Sequence, residues 1–143
     1  MTCSAEARAL IDEHPGLSVD SRFQALRLCV PGPDDAPVIT PFLLAVAADP
    51  AEEDLVRIEA IRLLELVPLR DDALAAGARE TLIRLAEHDE DWDVRSAAGC
   101  AVFRLPGAAR EVPRMRDLIA AEELDFVRDD ISAALRLMVR RTT

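Results

Sequence analysis

Tyrosine, lysine and asparagine are all absent from this 143-residue chain, and its aromatic residues are limited to four Phe and one Trp. A core so poor in rings has to be assembled from Leu, Ala, Val and Ile, and on this helix-friendly background that composition points to an all-α protein. Only five glycines occur, and neither a phosphate-cradling glycine loop nor a G-x-S-x-G nucleophile turn can be found. The three cysteines, Cys3, Cys29 and Cys100, are odd in number, widely spaced and form no CxxC. Neither a disulfide framework nor a zinc centre is therefore expected, and reduced thiols in a cytoplasmic protein are the simple reading. The longest apolar run, 42–48, is too short for a bilayer. Glu6, Asp12 and Glu13 precede any stretch of signal-peptide length, so no classical secretory signal and no membrane partner are expected. The two histidines, His14 and His88, lie far apart in the chain. With Lys and Asn both missing, the use of Arg for all 17 basic residues reads as codon bias in a GC-rich, bacterial genome.

What is present is charge, chiefly of one sign. Twenty-seven Asp and Glu against 17 Arg leave a net charge of -10, which argues against nucleic acid or an anionic membrane and favours a partner with a basic surface. The surplus is uneven: residues 51–100 hold 6 Arg and 13 carboxylates, whereas residues 101–143 hold 8 Arg and 7 carboxylates. Length and composition fit one domain able to bury a core without metal or disulfides.

Apolar residues recur at i, i+3, i+4 and i+7 almost throughout, and period-2 alternation never persists. Helices are predicted at about 4–13, 19–30, 38–48, 53–67, 71–87, 92–105, 111–121 and 125–140. Pro15-Gly16, Pro31-Gly32-Pro33, Asp49-Pro50, Pro68 and Pro106-Gly107 punctuate them, with Asp71, Asp91 and Asp125 placed to open new helices. Within this series a repeat is visible. Aligning SVDSRFQALRLC, EDLVRIEAIRLL, DWDVRSAAGCAV and LDFVRDDISAAL superposes Arg22, Arg57, Arg95 and Arg128, spaced 35, 38 and 33 residues apart. Val56, Val94 and Val127 precede the arginine in three copies; Ala25, Ala60, Ala98 and Ile131 stand three residues after it.

This register resembles HEAT repeats, and HDEDWDVRSAAGCA in the third copy is similar to the short prokaryotic, bilin-lyase-HEAT-like variety. The resemblance implies a right-handed α-solenoid of about four helix pairs in a single repeat domain spanning 1–143, with pairs at about 4–30, 38–67, 71–105 and 111–140. It further implies that the second helix of each pair lines the concave side and that the repeated arginine ties one pair to an acidic residue of its neighbour. Asp54, Asp91 or Asp93, and Asp125 stand near the matching helix starts and are the expected acceptors. Tetratricopeptide repeats have a similar period, but their aromatic-rich pattern has no counterpart here. A HEAT-like fold also occurs in alkylpurine DNA glycosylases, whose groove is basic, opposite in sign to this chain.

Positions two and five beyond the repeated arginine are expected to face the groove: Gln24 and Arg27, Glu59 and Arg62, Ala97 and Cys100, Asp130 and Ala133. Small residues of the third copy, Ala97, Gly99 and Cys100, either admit a partner closely or tighten helix packing. The acidic run from Glu87 through His88, Asp89, Glu90 and Asp91 to Trp92 and Asp93 lacks the glycine and closing Glu of a calcium loop, and its single His is too few for zinc. It fits a turn that places carboxylates at a helix N-terminus. Trp92 either staples that turn to the next copy or anchors a partner. Candidate partner-binding residues are thus Glu59, Arg62, Glu87, Asp89, Glu90, Trp92 and Asp130, while Arg22, Arg57, Arg95 and Arg128 are assigned structural roles. No catalytic residue, metal or cofactor is assigned. A non-enzymatic protein-binding module with an acidic surface follows as the expectation, for instance a bacterial immunity protein that inhibits a basic toxin enzyme. The alternatives are a bilin-lyase-like adaptor or assembly factor and, less favoured, an enzyme with a carboxylate site in the groove.

Overall fold

The computed structural model describes residues 3–142, and among them every regular element is helical. Eight α-helices follow in order: α1 (Ala5–Glu13), α2 (Val19–Leu28), α3 (Ala36–Ala48), α4 (Asp54–Glu65), α5 (Asp72–His88), α6 (Trp92–Val102), α7 (Val112–Ala121) and α8 (Asp125–Thr142). Single 3-10 turns at His14–Gly16 and Ala108–Glu111 precede α2 and α7.

The helix starts follow from local chemistry. Ser4, Ser18 and Asp71 accept hydrogen bonds from the backbone N–H groups of Ala7, Ser21 and Leu74 at 3.2, 3.2 and 2.9 Å, satisfying donors that a first turn leaves open. Pro37 and Pro113 lie in the first turns of α3 and α7, where a missing N–H costs nothing. α3 opens at Ala36, two residues before the periodicity suggests, for this reason. α4 and α6 close earlier than expected, at Glu65 and Val102, because the next residues fold into tighter turns. Leu66 and Val67 donate back to Leu63 and Leu64 at 2.9 and 3.2 Å, and Arg104 and Leu105 to Ala101 and Val102 at 3.0 and 3.3 Å.

Packing follows a simple order. α3 lies against α4, α5 against α6 and α7 against α8. The odd helices also touch in succession, α1 with α3, α3 with α5 and α5 with α7, and the even helices likewise, α2 with α4, α4 with α6 and α6 with α8. Between these two series lies one apolar core in which Val56, Val94, Val127, Ala60, Ala98 and Ile131 are fully buried. Gly99 belongs to this packing. A Cβ there would stand 2.5 Å from Ile131 Cδ1, so the missing side chain is what lets α6 meet α8 so closely.

Two ties outside the repeat fix loops to this frame. Asp35, almost fully buried, accepts from Ser4 N and Ser4 Oγ at 2.7 Å each and from Gly32 N at 2.6 Å, which pins the start of α1 to the α2–α3 loop. Burial works against its charge, yet these donors hold its carboxyl below the ordinary carboxylate range. On α5 the buried Arg79 donates from Nε to Glu111 Oε2 at 2.9 Å and from Nη1 to the Pro106 carbonyl, lashing down the α6–α7 loop. Gly107 lies under that guanidinium in the left-handed region, at φ 79°.

Two substitutions test this packing. Leu64→Asp places a carboxylate where only 1% of the residue's surface is exposed, and should lower stability by several kcal/mol in chemical denaturation. Gly99→Ala should cost about 1–3 kcal/mol through the forced displacement of Ile131, with the helical circular dichroism unchanged.

Candidate functional site

The four aligned arginines lie on the even helices, and three of them reach forward to the turn within the next pair. Arg22 donates from Nε to Glu52 Oε2 at 2.9 Å and from Nη2 to Glu52 Oε1 at 2.7 Å. Arg57, 2% exposed, grips both oxygens of Asp89 through Nη1 (3.2 Å) and Nη2, touches Asp91 Oδ2 at 3.4 Å, and donates from Nε to the Ala47 carbonyl at 2.9 Å. Arg95 donates from Nε and Nη2 to Glu122 at 3.1 and 3.3 Å and from Nη1 to the Asp89 carbonyl at 2.9 Å. Each acceptor also receives a backbone N–H of its own turn: Glu52 from Glu53, Asp89 from Asp91 and Glu122 from Leu124, at 2.9, 3.0 and 3.1 Å. These paired, charge-assisted hydrogen bonds are the strong class. They keep Glu52 below the ordinary carboxylate range even though burial pushes the other way.

The acceptors differ from those expected at the helix starts. Glu52, Asp89 and Glu122 stand two or more residues earlier than Asp54, Asp91 and Asp125, because an arginine on the preceding helix meets the apex of the turn before it meets the first helical residue. Asp91 retains only the secondary contact to Arg57. Asp54 and Asp93 interact across the α4–α6 seam. Burial and the neighbouring Asp54 push Asp93 up, while the hydrogen bond from Asp93 holds Asp54 down.

The structure also sorts the candidate partner-binding residues. Glu59 is buried and accepts from Arg62 Nε at 2.7 Å, and Arg62 Nη2 continues to the Arg27 carbonyl at 3.2 Å, so this pair joins α4 to the end of α2 and offers a partner little. The two-residue offset therefore does not mark an exposed position at Glu59. Asp89 is committed to Arg57, and Glu87 accepts from Arg114 Nη2 at 3.0 Å. Arg114 also donates to Glu80 at 2.5 Å, so it binds α7 to α5 at two points. Asp130 accepts from Ser96 Oγ at 3.1 Å at the α6–α8 seam. Glu90 is exposed. Trp92 packs edge-on against Phe126, with ring centroids 4.8 Å apart and planes at 88°, and both rings stay about half exposed (50% and 49%).

At the same turns a cleft of about 640 Å³ opens between the ends of α5 and α7. Its apolar lining is Ala86, Leu118, Ala121 and Leu124. Glu87, Asp89, Asp117, Glu122 and Glu123 surround it, against a single guanidinium, Arg95, and His88. Arg57, Arg95 and Arg114 engage three of these carboxylates, whereas Asp117 and Glu123 carry no such pairing among the described residues and are exposed. Sequence reading named Glu87 and Asp89 but missed Asp117 and Glu123. Only the stacking of two turns some thirty residues apart brings α7 to the acidic run.

The remaining reactive groups are dispersed. His14 is buried against Phe42 with Nε2 3.5 Å from Glu52, and burial pushes its pKa down; His88 is largely exposed. All three thiols are free, and burial pushes Cys29 and Cys100 up to about 11, which leaves them poor nucleophiles at neutral pH. Among the described residues no group of three or more His, Cys, Asp or Glu is arranged to hold a metal ion, and no helix is long and apolar enough to cross a membrane.

Removing Arg57 strands two carboxylates and a buried carbonyl, so Arg57→Ala should cost about 3–5 kcal/mol. Arg95→Ala, at a more open position, should cost about 1–3 kcal/mol, both read from denaturant midpoints. Asp93→Asn has the opposite sign. A raised pKa means stability that is lost as pH rises through the folded value. An amide can still donate to Asp54 without ever ionising, so the variant should be more stable than the parent at neutral pH, with the difference shrinking toward pH 4. Comparison of the chain with protein-family models, curated proteins and solved structures gives no match.

Proposed function

We propose that the chain is a right-handed α-solenoid of four HEAT-like helix pairs acting as a non-enzymatic protein-binding module, and that the cleft at the α5–α6 and α7–α8 turns receives a Lys or Arg side chain of a basic partner. The cleft is the observation that carries this reading. An aliphatic stem can lie on Leu118, Ala121 and Leu124 while its cationic head meets Asp117 and Glu123, the carboxylates with no arginine of their own. Trp92 and Phe126, at the starts of α6 and α8, are half-exposed rings of the kind that anchor interfaces. Support for the solenoid comes from the order of helix contacts and from arginines that bind the next turn at a period of 33 to 38 residues. Within the binding class, the net charge of -10 favours an inhibitor that covers a basic enzyme, a bacterial immunity protein being one form.

Titration of the labelled protein with an arginine-rich peptide tests the cleft. Amide shifts should cluster at Leu118, Ala121 and Leu124, and association should slow as salt rises, since surface steering is screened within about 8 Å at physiological ionic strength. Asp117→Arg together with Glu123→Arg should weaken binding by about tenfold or more while stability is kept, because neither residue holds the fold. Trp92→Ala should chiefly speed dissociation. Binding that ignores both salt and the double reversal would place the partner surface elsewhere.

A further inference from the structure

Where the first helix pair meets the second, a histidine is sealed into the joint. His14, on the turn between α1 and α2, is 8% exposed and sets its ring edge-on against Phe42 of α3, with centroids 5.1 Å apart and planes at 85°. Its Nε2 stands 3.5 Å from Glu52 Oε2, while Nδ1 is buried with no hydrogen-bond partner among the described residues. Glu52 is already matched. Its two oxygens take Nε and Nη2 of Arg22 and the backbone N–H of Glu53, at 2.9, 2.7 and 2.9 Å. The charged groups that face the imidazole are Glu52 from the α3–α4 turn and Arg22 from α2. α3 contributes none, since 36–48 holds no ionisable side chain, and Asp12 and Glu13 at the end of α1 are exposed.

A neutral imidazole suits this site and an imidazolium does not. Protonation would turn Nδ1 into a buried N–H with nothing to accept it, and would add a second cation beside a carboxylate whose charge Arg22 already balances. We propose that His14 is an acid-sensitive latch: neutral, it holds the α1–α2 pair against α3 and the α3–α4 turn, and on taking up a proton it leaves Phe42 for water and loosens the first pair from the second. The direction of the pH dependence agrees with the geometry. Burial pushes the pKa of His14 below its ordinary value, so the stability it supplies is complete above about pH 6.5 and is lost as pH falls from there through the folded value. Glu52 is held below the ordinary carboxylate range, so the Arg22 pairing keeps its charges while the latch opens. The device is independent of the cleft between α5 and α7.

Hydrogen exchange of the full chain, corrected for the intrinsic pH dependence of amide exchange, tests the latch. Between about pH 7.5 and about pH 5.5 the protection of amides in α1 and α2 should fall by about three- to tenfold, while protection in α5 should hold. Tenfold is about the limit for one proton taken up only by the open form at a pKa of about 6.5. His14→Gln, which keeps a polar side chain, and His14→Phe, which keeps the ring, should each remove the fall. Titration of the His14 ring followed by NMR is a readout that needs no variant, and its midpoint should lie below about 6.5. A midpoint at or above that value overturns the proposal. So does protection of α1 and α2 that ignores pH, a fall shared equally by α5, or a fall that survives in both variants.

Discussion

A guanidinium cannot discard its charge, so every arginine drawn into this fold must find acceptors wherever the backbone leaves it. That constraint organises the molecule. Arg22, Arg57 and Arg95 each leave their own helix pair to find a carboxylate in the next, and each carboxylate is already fastened to the backbone of its turn. Neighbouring pairs are therefore set in register by directional bonds as well as by apolar burial. Arg79 and Arg114 repeat the principle across the odd helices, the first holding the α6–α7 loop and the second fixing α7 to α5.

An excess of carboxylates suits such a design, because the long forked side chains are consumed by the frame and what remains in solvent is negative. Glu52, Asp89 and Glu122 belong to the frame; Glu90, Asp117 and Glu123 do not. The acidity that the composition announces is thus divided between carboxylates already matched and carboxylates free to meet a cation. Both kinds come together at the α5–α6 and α7–α8 turns, where the frame pairs form one wall of the cleft.

Features that recur could be read from the sequence, and features that occur once could not. The arginine register and the burial of the preceding valines were legible because four copies carry the arginine and three of them the valine. Identification of the acceptors fell short by a few residues: acid-rich turns offer several carboxylates, and only the path of the turn selects Asp89 over Asp93. Asp35, Arg79 and Gly107 have no counterparts in other pairs, so no alignment marks them, although Gly107 after Pro106 gave a turn without saying what lies above it. Glu59 carried the opposite lesson. Its position in the repeat suggested exposure, and Arg62 folding back toward α2 covers it. The cleft belongs to tertiary structure alone, since α7 contributes residues that no local pattern connects with the acidic run.

The pairings also have a direction. Each of the three repeated arginines Arg22, Arg57 and Arg95 belongs to the earlier pair and its carboxylate to the later one, and the two partners do not fare equally when separated. A carboxylate released at a turn can rehydrate or take up a proton, whereas Arg57, sealed on α4 with 2% of its surface accessible, keeps its charge in a site built around an absent acceptor. Loosening the later pair therefore penalises the one before it more heavily than the reverse. Opening the stack at the α5–α6 turn is accordingly the more costly on its earlier side, where the interior of α4 depends on Asp89 for its neutrality.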